Sequence, residues 1–191
     1  MPKNKKIKQV ELTYFLQKNV LANSISDAEI RYYLPSANIM TYPELSIIED
    51  IEQLLPRHDS YFILLYLDTP NSGHWTTLKR FNNDIQYFCS YGTYPDDQIR
   101  KWYGVELAKQ LGENKLYLSN LLNKTKLNVN YNDMDYQNKN IDIVTCGRHM
   151  INFIKSKKDL KQYYKMMQKL KRDSKMSFDE IVSSNFDIVL D

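Results

Sequence analysis

Cysteine is scarce in this chain, with two in 191 residues. That is too few for a disulfide framework and too few for a cysteine-rich zinc site, so no metal is expected. A reducing compartment is the natural setting. Glycine is scarce too, at five residues against fifteen scattered tyrosines that form no repeat. Long apolar runs are missing: YFILLYL (61–67) falls far short of the ~20 residues that cross a bilayer. The opening MPKNKKIKQVELTYFL lacks the continuous apolar stretch of a signal peptide. These absences point to a soluble, intracellular protein that is not secreted and does not engage a membrane.

What is present is globular, 42% apolar and 26% charged. The length suits a single domain over 1–191 that buries its own core. Residues 1–9 read as a flexible basic arm and 157–191 as a basic helical extension. The net charge is only +3, but residues 155–175 carry nine Lys or Arg against two Asp. Such a surface suits an acidic partner or a phosphate backbone, or simply a solvated helix face.

Helical spacing is expected over QVELTYFLQKNV (9–20), from Ser26–Asp27 to Tyr33, over YPELSIIEDIEQLLP (42–56) and over 96–112. Short elements follow near 117–123 (helix) and 126–131 (strand). Helices over 146–155 and 157–173 come next, then a last one that starts at the capping-box sequence SFDE (177–180). Between the early and middle helices, YFILLYLD (61–68), HWTTLKRF (74–81) and IQYFCSYG (85–92) are separated by turn residues. They read as an antiparallel meander whose first strand is covered on both faces. The class is α+β, a small central antiparallel sheet flanked by helices.

The chemistry concentrates at VTCGRH (144–149). Cys146 opens a helix, where free N–H groups and the dipole favour a thiolate. Gly147 lets a backbone approach, and the Cys146 N–H could serve an oxyanion. The chain has three histidines. His58 sits in a polar turn. His149 shares a helix face with Cys146 but leaves no slot for a substrate. His74 begins a strand beside Trp75, where a rigid sheet can aim it at a helix start, and it is the favoured base. Tyr163, Tyr164, Met166 and Met167 read as core packing for the long helix.

GHW (73–75), a strand ending YFCSYG (87–92), Gln137 and TCGRH (145–149) together resemble the adenain-type cysteine proteases. That group includes the adenovirus maturation protease, enzymes of large DNA viruses, virophages and polinton-like elements, and more distantly the SUMO-deconjugating proteases. Their order of His, acid, Gln, Cys differs from that of papain, where Cys comes first. The resemblance spans about residues 61–155. It implies a papain-like core with the nucleophile at the N-terminus of a buried helix. It makes Cys146 the nucleophile, His74 the general base and Gln137 an oxyanion-hole donor, with Trp75 and Gly147 against the substrate.

Cys89 stands where the family carries an acid. A thiol cannot stabilise an imidazolium as a carboxylate does. Three arrangements are compatible with this: a Cys146–His74 dyad with Cys89 or a water as weak partner, an acid reaching in from Asp84, Asp96 or Asp97, or lost activity. The resemblance implies a viral maturation endopeptidase that cuts capsid or other virion precursors at small-residue or Gly-containing sites. It would act as a monomer in the virion and the host cytoplasm or viral factory, without a cofactor, activated by DNA or a peptide. The rivals are a deubiquitinase or SUMO-like deconjugating protease, and an inactive papain-like module that binds nucleic acid or virion.

Overall fold

The computed structural model describes residues 21–70, 72–101 and 104–186. The expected arm at 1–9 and helix over 9–20 lie outside them. Helix α1 (Asp27–Tyr33) leads to strand β1 (Ile39–Thr41) and two 3-10 turns, Tyr42–Ile47 and Ile51–Gln53. Strands β2 (Tyr61–Thr69), β3 (Ser72–Phe81) and β4 (Asp84–Cys89) follow. Then come helices α2 (Asp97–Lys101), α3 (Val105–Gln110) and α4 (Tyr117–Leu122), and strand β5 (Asn128–Tyr131). Helices α5 (Cys146–Lys155), α6 (Leu160–Ser174) and α7 (Phe178–Ser184) complete the described chain. The class is α+β.

The sheet has five strands in the order β1-β2-β3-β4-β5. The β2-β3-β4 meander is antiparallel as expected, but β1 runs parallel to β2 and β5 parallel to β4. The sheet is therefore mixed, which corrects the all-antiparallel expectation. Its outer strands arrive by long connections rather than hairpins, and those connections permit parallel pairing.

Helix spacing misled in two places. Over 42–56 the apolar periodicity is helical, yet Ile48 is extended and the Asp50 carboxylate accepts the Glu52 N–H at 2.9 Å, so the chain restarts there. Over 96–112 the extended backbone of Gly104 caps α3 and separates it from α2.

The central strand is buried on both faces. Phe62, Leu64, Tyr66, Leu78, Ile85 and Tyr87 pack one way, under the 3-10 turns and α4. Ile63 and Trp75 face the other way, onto Met150, Ile151 and Ile154 of α5 and onto Ile30 of α1. A third cluster joins Phe88 and Phe153 to Tyr163 and Met167 of α6 and to Phe178 and Val182 of α7. Tyr164 and Met166 pack against it half-buried.

Asp96 ties the first face together. It takes a left-handed φ of 64°, accepts from Tyr42 Oη and from the Ser119 N–H at 2.8 Å each, and donates its own N–H to Tyr66 Oη at 3.3 Å. Asp96→Ala removes the acceptor of the Tyr42 hydroxyl and the Ser119 N–H, and we expect a loss of about 2–4 kcal/mol in urea denaturation. Asp96→Asn should lose clearly less. Equal losses would show that the charge, not the hydrogen-bonding shape, carries the effect.

Candidate active site

His74 is the third residue of β3, paired across from Tyr66. Thr76 pairs with Cys89 of β4, so His74 lies on the same sheet face as Cys89, one diagonal step along. The imidazole Nε2 is 3.3 Å from the Cys89 sulfur, and the Tyr91 ring stacks on it at 4.8 Å and 24°. Cys89 Sγ also lies 3.0 Å from Thr93 Oγ1 and 3.8 Å from Gln98 Nε2. Asn132 clamps the backbone here, accepting the Cys89 N–H at 2.9 Å and donating to its carbonyl at 2.7 Å. Gly92, at a φ of 63°, turns the chain where a Cβ would strike the Met134 backbone, and this close approach fixes Tyr91 beside the imidazole.

Cys146 is the first residue of α5 and is buried. The backbone N–H groups of Trp75 and Gly147 act on its sulfur, as a helix start should. Trp75 is the residue after His74, so its side chain lies on the opposite sheet face, in the apolar cluster that holds Cys146, while His74 lies on the Cys89 face. Burial nonetheless dominates and pushes the Cys146 thiol up to about 11. It pushes the His74 imidazole down to about 3, with the nearby His149 adding to that effect, and it raises Cys89. In this closed state the proton rests on sulfur and His74 is neutral.

Gln137 is hydrogen-bonded through both ends of its amide. Its amide nitrogen donates to Tyr91 Oη at 3.0 Å and to the Ile143 carbonyl at 2.8 Å, and its oxygen accepts from Ser90 at 2.8 Å. Both amide protons are engaged, so Gln137 supports the ring stacked on His74 and leaves no donor for an oxyanion in this arrangement. The loop is pinned by Asn138, whose N–H donates to Asp179 at 3.0 Å.

His149 points to Asp179 as well, 3.0 Å from Oδ1, and Thr145 Oγ1 donates to the same oxygen. The His149 Nδ1 has no partner among the described residues. Two of the acids weighed for Cys89's place are used elsewhere. Asp84 accepts from Asn128 at 3.0 Å, and Asp96 serves Tyr42 and Ser119. Asp97 is buried at the start of α2. His58 is exposed, its Nδ1 accepting the Asn82 N–H at 2.9 Å. No group of three or more His, Cys, Asp or Glu among the described residues could hold a metal ion. A cleft of about 460 Å³, lined by Asp84, Asp133, Asp159 and Lys161 among others, includes none of His74, Cys89 or Cys146. Tyr91, Thr93, Gln98 and Asn132 were not singled out by the sequence, for their roles rest on contacts with His74 and Cys89 that no local pattern announces.

The chain is similar to an uncharacterized Sputnik virophage protein, V9, with 32% identity over 149 residues covering 77% of this chain and 84% of that protein. It belongs to that virophage family. No protein-family model matches it, and no solved structure gives a significant match. No helix among the described residues is long and apolar enough to cross a membrane.

The depressed His74 value has a thermodynamic consequence. Between about pH 6.5, the ordinary histidine value, and about 3, the unfolded chain binds a proton that the folded chain refuses. Stability is therefore complete above about 6.5 and falls as pH drops through that window. His74→Gln should flatten the slope by up to about 1.4 kcal/mol per pH unit in denaturant titrations run from pH 7 to 4. An unchanged slope would show that His74 is solvated and readily protonated.

Proposed function

We propose that the protein is a cysteine endopeptidase with Cys146 as nucleophile and His74 as base. The observation that carries this reading is the junction of β3 with the start of α5. There His74 is held by Cys89 and Tyr91, while the backbone N–H of Trp75, the next residue, favours the thiolate form of Cys146. With Nε2 turned to Cys89, the other ring nitrogen, Nδ1, must accept the thiol proton. That requires Nε2 to carry the imidazole hydrogen and the Cys89 sulfur to accept it.

In the reaction, His74 takes the proton of Cys146, and the sulfur attacks the scissile carbonyl carbon. The oxyanion forms against the Cys146 N–H at the helix N-terminus. The C–N bond breaks, and His74 gives its proton to the departing amine. Water then attacks the thioester, losing a proton to His74, and that proton returns to sulfur as the acid leaves.

Membership of a virophage family supports virion precursors as substrates. A capsid protein cut beside small residues is the first to test, the nucleophile lying on a helix start whose next residue is Gly147. The exposed Lys161, Lys165, Lys169 and Arg172 recur along one side of α6, and duplex DNA is the partner proposed for them. A second reading, a catalytically inactive module, is favoured by the engaged Gln137 amide and by the closed, neutral Cys146 and His74.

The deciding experiment incubates the protein with the major capsid protein of the same genome and maps fragments by mass spectrometry. New termini should appear with wild type and vanish with Cys146→Ala; intact capsid protein in both would leave the inactive module. Duplex DNA at about 50 mM salt should speed cleavage, and an unchanged rate would remove the DNA partner.

Cys89→Asp gives a sharper prediction. The Thr93 hydroxyl, the Gln98 amide and His74 Nε2 all lie around position 89, a donor-rich pocket suited to a carboxylate. The variant should cleave faster by about ten-fold or more. A folded but inactive variant would mean that the sulfur itself takes part.

A further inference from the structure

Residues 23–26 form no regular element, yet they are fixed on the start of α5. Each point of attachment is a backbone carbonyl. Ile25 O accepts from the Trp75 indole at 3.1 Å and Asn23 O from Arg148 Nη1 at 2.8 Å; just before the segment, Leu21 O accepts from the Val144 N–H at 2.9 Å. All three donors are within two residues of Cys146 or directly after His74.

The Ile25 side chain is 4% exposed and fills the space above Gly147. A Cβ on that glycine would lie 1.9 Å from Ile25 Cγ2. Ile25, Trp75 and Cys146 belong to one apolar cluster. The Arg148 guanidinium is itself only 8% exposed, and its Nε has no partner among the described residues. The charge of Glu29 favours the Arg148 cation, but a buried guanidinium with an unsatisfied donor remains an expensive way to hold a carbonyl.

We propose that Asn23–Ile25 is an intramolecular strap that lies over the Cys146 thiol like a peptide in a groove, and that a substrate chain must displace it to reach the sulfur. The inference rests on the protease reading for the word substrate, but the strap itself does not. Its grips are backbone carbonyls, which any extended peptide carries, and a small apolar seat over Gly147. An incoming peptide can therefore replace each grip in turn, including the free donor on Arg148. Displacement also lets water reach the sulfur and the imidazole, and this moves both back toward their ordinary ionisation.

The test is the rate of iodoacetamide labelling of Cys146 and Cys89 in the full chain, read by mass spectrometry. Ile25→Ala should label at Cys146 about ten-fold faster than wild type, with Cys89 unchanged, since only the local opening is eased. A peptide of the sequence LANSISDA added in trans should slow the variant again. Trp75→Phe, which removes one grip and keeps the packing, should give a smaller rise and guards against misfolding of the first variant. Equal Cys146 rates in wild type and both variants would overturn the strap. So would a matched rise at Cys89, which signals general loosening. Faster labelling without any capsid cleavage would keep the strap and sink the protease. Cleavage with unchanged labelling would do the reverse.

Discussion

Strand β3 is polar in composition and central in position, and the rest of the structure is arranged around that conflict. His74, Thr76, Thr77 and Lys79 are all buried. A buried polar group without a partner costs about 1–3 kcal/mol, so each must be answered. Thr77 donates to the Phe62 carbonyl at 2.8 Å, and Thr76 reaches the Leu64 carbonyl at 3.3 Å. Lys79 crosses to the Lys158 carbonyl at 2.6 Å and lies 4.3 Å from the centre of the Phe153 ring. Burial pulls that ammonium down to about 8, and it stays charged because its contacts favour the cation. Lys158 lies between α5 and α6, so the lysine on the strand fixes where the helical layer sits. His74 is answered by the Cys89 sulfur at 3.3 Å.

The same conflict explains how much could be read from the sequence. The apolar run at 61–67 announces a strand covered twice, and the caps Ser26 and Ser177 announce their helices; these are local signals, and the elements form there. The alternation in HWTTLKRF suggests one wet face, but both are dry. The polar residues are satisfied by carbonyls from β2 and the α5–α6 turn, which no window of sequence contains. His74 and Cys146 stand out because their types and settings carry chemistry on their own. Tyr91, Asn132 and Arg148 do not, since a tyrosine in a turn or an arginine on a helix has no meaning until its distant partner is in place. The parallel outer strands were illegible for the same reason: β1 and β5 are short, and pairing direction belongs to the connections.

A buried cysteine and histidine can be read as core or as catalyst, and burial alone favours core. The asymmetry of what surrounds them argues the other way. Position 89 is ringed by donors, more than a neutral thiol needs, while the Cys146 sulfur faces two backbone N–H groups at the start of a ten-residue helix. Both environments are built for negative charge, and neither carries it while the site is dry. Desolvation outweighs the donors in each case, and only water or a substrate's own dipoles can reverse that order.

The strap and Gln137 are linked through adjacent residues. Val144 gives its N–H to Leu21, and Ile143 gives its carbonyl to the Gln137 amide. A pull that frees residue 21 from Val144 acts on the backbone that holds Gln137. Gln137 in turn touches Tyr91, whose ring lies on His74. One contiguous set of contacts therefore runs from the strap to the imidazole, and the amide proton now spent on Ile143 is the one such a movement would release. On the strap proposal, the covered thiol, the neutral histidine and the engaged glutamine are three consequences of one closed contact, and they should be relieved together rather than singly.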